Sequence, residues 1–167
     1  HSMSPYASVV LNIAEDHVDW HGSFERYKAD KARVYEHTQV ACIFNTDHVD
    51  TLRMVENADV IEGARAIGFS STEMPAVSML GLAEDIMVDR AFLKNRYNEA
   101  YELAVLEDLA PAPGKMPAKH TVENALAAAA LCRAADIDPK AVGAGLRSFK
   151  TGAHRNQLVG YANDIMW

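Results

Sequence analysis

Glu15, Asp16, His17, Asp19 and His21 put three carboxylates and two imidazoles into seven positions, and Lys31 follows ten residues later. Carboxylate oxygen and imidazole nitrogen together suit Mg2+, Mn2+ or Zn2+, and the absence of a thiolate favours a harder ion. His17 is the residue of this group best aimed inward, and Lys31 its most informative companion. In ordinary use a lysine in an apolar stripe packs its stem and lifts its ammonium to water. A desolvated amine with a lowered pKa instead becomes a neutral nucleophile that takes up carbon dioxide, and the resulting carbamate is an anionic metal ligand. Two other readings stand beside that one. The acidic knot could be a solvated turn that caps the next helix, or His17, His21 and Asp19 could surround an activated water in a metal-dependent hydrolase.

These residues need an element to carry them. Residues 7–13, Ala-Ser-Val-Val-Leu-Asn-Ile, form an apolar run too short for a helix, which predicts a strand buried on both faces. The charged knot then lies at the C-terminal end of a strand, where ligands gather in open parallel sheets. Ser23 predicts the cap of a helix over 24–37, with Glu25 in the first turn at the positive end of its dipole. Phe24, Tyr27, Lys31, Val34 and Tyr35 fall on one face of that helix, so Lys31 interrupts an apolar stripe. Strands over 40–45 and 64–69 with a helix over 47–57 between them complete a β-α-β-α-β order, which implies parallel strands and right-handed crossovers.

The middle of the chain differs. Residues 76–94 alternate around Glu84-Asp85 and 102–106 are strand-like, predicting a small antiparallel layer. Pro111, Pro113, Gly114 and Pro117 form a connector, after which Thr121 opens an alanine-rich helix to about residue 135. Asp138-Pro139 reads as a cap with proline at the first helical position, starting a last helix to about Phe149, and 158–167 suit a strand. The fold class is therefore α/β: three layers, a mostly parallel sheet flanked by helices, with a small antiparallel layer.

Composition sets the bounds. With 167 residues, 49% of them hydrophobic, the chain can bury one core. A formal net charge of -7 with scattered basic residues argues against nucleic acid as a partner. Cys42 and Cys132 are too few for a disulfide framework, which points to a reducing cytoplasm. No apolar stretch reaches the roughly 20 residues that cross a bilayer, so no membrane association is expected. His1-Ser2-Met3 looks like a tag remnant, and the chain stops inside a strand-like run, so residues 4–167 are expected to be part of a longer protein.

Three motifs carry a resemblance. "LNIAEDHVDWHG" followed by "YKADKARVY" resembles the segment of the Mur ligases in which a strand enters a Glu-Asp-His-x-Asp motif and then the helix of the carbamylated lysine. "KHTVENALAAAALCRA" is similar to that family's His-Asn-x-x-Asn-Ala-x-Ala-Ala helix, and "LRSFKTGAHRNQLV" to its Phe-x-x-x-x-His-Arg segment. The motifs come in the family's order and cover most of the chain. The resemblance implies a partial Mur ligase central domain from an ATP-dependent amide ligase of peptidoglycan synthesis, and so of cell shape and division. Within the family, the acid-Asp-His and Gly-Ala-His-Arg forms are most similar to the member that adds D-glutamate to UDP-N-acetylmuramoyl-L-alanine. The member that adds the third residue of the peptide is its rival, and a non-catalytic binding or structural module is the alternative from another class.

Carried over by position, the resemblance makes His17 a ligand of the second Mg2+. It makes Lys31, as a carbamate, both the catalytic candidate and a group that helps hold that ion. Asn124 would contact the adenine of ATP, and Arg155, beside His154, would reach its ribose and phosphates. Thr121 and Ala118 stand where the family pattern has asparagine and glycine. No Gly-x-x-x-x-Gly-Lys-[Ser/Thr] loop occurs in these residues, so the backbone nest for ATP phosphates is missing. The phosphate-binding loop and the N-terminal and C-terminal domains are expected outside this chain. The chain alone is expected to be inactive and, with an unpaired sheet edge, to self-associate.

Overall fold

The structure is a computed structural model that describes residues 3–14, 21–150, 161–162 and 165–166. Its centre is a six-stranded sheet in sequence order, made of β1 (Ala7–Val10), β2 (Ala41–Asn45), β3 (Arg65–Phe69), β4 (Met79–Ala83), β5 (Ile86–Asp89) and β6 (Tyr101–Val105). Strands β1 to β4 are parallel, and β4, β5 and β6 pair antiparallel. The antiparallel part thus continues the parallel sheet. Only Gly68 and Phe69 of β3 pair with β4, through Met79 and Leu80, so the meander is staggered beyond the C-terminal end of β3. Glu84, at φ 58°, makes the tight β4–β5 turn in the left-handed region. Tyr161–Ala162 (β7) and Ile165–Met166 (β8) form a separate two-stranded pair.

Helices α1 (Phe24–Ala32), α2 (Val49–Glu56), α3 (Lys119–Ala134) and α4 (Pro139–Ser148) cover the sheet. Ser23 caps α1 by accepting from the Arg26 amide, and Asp138 caps α4 by accepting from Lys140 ahead of Pro139, both as their types dictate. The helix α3 starts two residues before Thr121, after Ala118, and makes no side-chain cap.

Two corrections concern the opening region. Strand β1 ends at Val10 and is an edge strand, so Ser8 and Val10 are buried while Ala7 and Val9 are only partly covered. Full burial on both faces belongs to β2, which has a neighbour on each side. The helix expected over 24–37 tightens after Ala32 into a 3-10 turn, Arg33–Tyr35. That turn advances about 120° per residue instead of 100°. Tyr27 and Tyr35 therefore stay buried, whereas Val34 rotates out to 40% exposure and leaves the apolar stripe.

The core lies on both faces of the sheet. On one, Ile43, Ile67, Phe69, Leu80 and Met87 meet Ala125, Leu126, Ala129 and Ala130 of α3. The alanines let helix and sheet approach closely, and burying a side chain such as Leu126 stabilises by about 1.5–3 kcal/mol. On the other face Val10, Tyr35, Cys42 and Met54 pack together. The Tyr35 hydroxyl donates to the Ile43 carbonyl at 2.6 Å and accepts from the Val10 amide at 3.0 Å, tying β1 to β2. Burial raises its pKa further above the ordinary phenol value, keeping it a neutral donor. Gly143 makes α4 possible, because a Cβ there would lie 2.1 Å from the Leu103 carbonyl oxygen of β6.

Candidate functional site

The C-terminal end of β2 meets the N-terminal part of α3 through Asn45 and Glu123, while α1 packs beside α2. Lys28 of α1 reaches Asp50, in the first turn of α2, at 3.5 Å, which sets α1 beside the end of β2. Lys31 is half-buried one turn farther on, and its ammonium stands 5.1 Å from the centre of the Tyr27 ring. Among the described residues no carboxylate pairs with it, whereas Lys28 holds both Glu25 and Asp50. Lys31 thus lies on an aromatic face, with an amine that no described carboxylate engages.

His21 contacts the same tyrosine edge-on, with ring centres 5.2 Å apart, and its Nδ1 sits 2.8 Å from the Asp30 carboxylate. This pair fastens His21 to α1: its Nδ1 is engaged by Asp30 and its ring packs on Tyr27. Glu15, Asp16, His17 and Asp19 lie outside the described residues, as do His154 and Arg155. Among the described residues, no group of three or more His, Cys, Asp or Glu side chains could hold a metal ion. A carbamate on Lys31 would offer the oxygen donors that a hard ion such as Mg2+ takes.

On the opposite face Asn124 lies in the N-terminal part of α3, exposed. Its neighbour Glu123 turns inward and is 8% exposed, accepting from Asn45 Nδ2 at 3.3 Å. Asn45 is the last residue of β2, and its Oδ1 accepts from the Asp47 amide. The Asp47 carboxylate then accepts from the hydroxyls of Ser70 (2.7 Å), Thr72 (2.9 Å) and Ser71 (3.4 Å), which follow β3. Lys119 spans Asp47 at 3.8 Å and Glu123 at 3.4 Å. Burial pushes the Asp47 pKa up, but the Ser70 and Thr72 hydroxyls, Lys119 and the Ser71 amide outweigh it and hold the carboxyl below its ordinary value.

The candidates singled out in the sequence therefore divide. Lys31 lies in the last turn of α1 and Asn124 in the N-terminal part of α3, and His21 is joined to α1 through Asp30 and Tyr27. The cluster of Asn45, Asp47, Lys119 and Glu123 escaped sequence reasoning. The signal was present, since Asn45 ends a strand whose other residues, Ala41 to Phe44, are apolar, and a strand's C-terminal end is where polar side chains gather over ligands.

Comparison with known proteins gives this arrangement a context. A family model described as the Mur ligase middle domain matches residues 1–132. A UDP-N-acetylmuramoylalanine--D-glutamate ligase of Leifsonia xyli subsp. xyli is 49% identical over 165 residues, covering 99% of this chain and 31% of that protein. The protein of the same name from Streptomyces avermitilis is 49% identical over 154 residues, 92% of this chain and 32% of the relative. The chain thus spans about a third of the length of the relatives it matches. Among solved structures, a UDP-N-acetylmuramoyl-L-alanyl-D-glutamate--2,6-diaminopimelate ligase superposes with a TM-score of 0.63 at 18% identity, over 89% of this chain and 29% of its own. MurF from Acinetobacter baumannii does so at 0.58 and 16% identity, over 96% and 32%. The low identities of these two bear on the fold alone, and the fold agrees. Family match and near-complete coverage by relatives lead to one conclusion: the chain belongs to the Mur ligase family, in the family's middle domain.

Proposed function

We propose that this chain is part of the ATP-dependent ligase that joins D-glutamate to UDP-N-acetylmuramoyl-L-alanine in peptidoglycan synthesis, in the cytoplasm. The observation that carries the reading is the 49% identity over 99% of the chain to a relative bearing that name, a span that includes both Lys31 and Asn124. In this reaction the substrate carboxylate takes the terminal phosphoryl group of ATP, releasing ADP, and the amine of D-glutamate then displaces phosphate to form the amide. Such transfer depends on positioning and on positive charge at the phosphoryl oxygens, which is what Mg2+ supplies when bound.

The chain's own residues have distinct parts. Lys31 forms a carbamate, with a new N–C bond to carbon dioxide and loss of a proton, and this anion and His17 hold the metal. Asn124 contacts the adenine at the start of α3, and Arg155 beside His154 reaches the ribose and phosphates. The support for Lys31 is its half-buried seat over Tyr27 and the absence of a described carboxylate partner. The 167 residues contain no phosphate-binding loop, so they have no ligase activity alone; the loop, the uridine-binding domain and the D-glutamate-binding domain belong to the rest of the protein. Alone, the chain associates with itself through β1, an edge strand of the six-stranded sheet.

The test is phosphate release by the full-length protein. It should require ATP, UDP-N-acetylmuramoyl-L-alanine and D-glutamate together, and Lys31→Ala should abolish it. Turnover only with the D-glutamyl precursor and a diamino acid would assign the protein to the next ligation instead. Sedimentation of the isolated chain as a monomer across concentration would refute association through β1.

A further inference from the structure

The buried carboxylate of Glu123 calls for an explanation. Burying a charge costs free energy unless it is paired, and Val122 and Leu126 beside it show that this face of α3 accepts apolar residues. The rest of the face is largely alanine: Ala125, Ala129 and Ala130 all pack on the sheet. Small side chains do not interlock as ridges in grooves, so such a face leaves the rotation and axial position of a helix weakly specified. Hydrogen bonds, being directional, can supply what the alanines do not.

We propose that Asn45, Asp47, Lys119 and Glu123 form a positioning network that sets the rotation and height of the N-terminal part of α3, and through it the presentation of Asn124. The inference rests on the reading of Asn124 as the adenine contact. The network joins three elements: Asn45 ends β2, the hydroxyls of Ser70, Ser71 and Thr72 after β3 lock Asp47, and Lys119 and Glu123 belong to α3. Glu123 precedes Asn124 directly, so a turn of the helix that frees Glu123 from Asn45 swings Asn124 by the same angle. None of the four touches the nucleotide in this account; they act through Asn124.

Steady-state kinetics of the full-length ligase tests it, with ATP and D-glutamate varied separately. Glu123→Ala should raise the KM for ATP about fivefold, the equivalent of one lost hydrogen bond, and leave kcat and the KM for D-glutamate unchanged. Glu123→Gln, which keeps an acceptor for Asn45, should restore most of the loss. Because Glu123 works through Asn124, the double variant with Asn124→Ala should be no worse than Asn124→Ala alone. If Glu123→Ala does not fold, Lys119→Met carries the test from a side chain 57% exposed, with a KM for ATP raised about twofold. An unchanged KM for ATP in these variants overturns the network, as does a parallel change in kcat and both KM values. If Asn124→Ala itself leaves that KM unchanged, the adenine reading falls and takes the inference with it. If Asn124→Ala raises it and Glu123→Ala does not, the positioning network alone falls.

Discussion

Helix α3 is fastened at both ends by a carboxylate, and the two fastenings differ in kind. Near its C-terminus Arg133 donates through Nε to Asp89 at 2.8 Å, both side chains being nearly inaccessible. Asp89 also accepts from the amides of Ala91 and Phe92, and Arg133 also reaches the carbonyls of Phe92 and Ile137. Every partner is a guanidinium or backbone, so nothing can be re-aimed without moving chain. At the N-terminus, Asp47 is met by three hydroxyls, which rotate, by the Ser71 amide and by Lys119, which is mostly in solvent. The first arrangement locks the helix to the β5 end; the second holds its N-terminal part mostly with side-chain donors that can adjust.

The comparison can be broken by substitution. Arg133→Ala strands a buried Asp89 and should cost about 3–5 kcal/mol in urea unfolding. A loss below about 1 kcal/mol would mean that water reaches the pair and that the locked end is no different from a surface bridge. Tyr35→Phe gives a neutral reference, since it leaves the Val10 amide and Ile43 carbonyl without their partner; about 1–2 kcal/mol is expected, measured the same way.

Ser70→Ala removes one of the donors to Asp47 and should cost about 1 kcal/mol near neutral pH. Its pH dependence sharpens the contrast. The folded pKa of Asp47 lies below its unfolded value, so its contribution is fully present above the unfolded carboxylate pKa of about 4 and is lost as pH falls through the lowered folded value. Ser70→Ala should narrow that gap, giving a shallower loss of stability with acid below pH about 4. An acid limb identical to that of the unsubstituted chain would show that the hydroxyls do not hold the carboxylate. Lys119→Met should be the mildest, below about 0.5 kcal/mol in stability, because an exposed ammonium is well screened. A larger loss would make the N-terminal end of α3 as rigid as the other.

Much of the fold was legible where local chemistry dominates. The apolar runs at 40–45 and 64–69 became strands within a residue of their expected starts, and Ser23 and Asp138 cap the helices they introduce. The misplaced details have tertiary causes. Val34 fits an ideal helical stripe and is exposed because the chain tightens at Arg33–Tyr35 to bring the Tyr35 hydroxyl to β1 and β2. The full burial expected of the first strand fails because that strand lies at the sheet's edge, and position in a sheet is not written in the strand's own residues.

For the site, the amino-acid order by itself determined the helix of Lys31, the helix of Asn124 and the family to which both belong, because each motif lies within a few turns of chain. Only the tertiary structure decided that Asn45 meets Glu123, 78 residues away, and that Asp47 meets three hydroxyls more than 20 residues on. A lone Asn or Asp after a strand carries no mark of its eventual partner. Parallel pairing of β2 with β3 and the crossing of α3 over both bring these groups within hydrogen-bonding reach, and there burial makes their pairing obligatory.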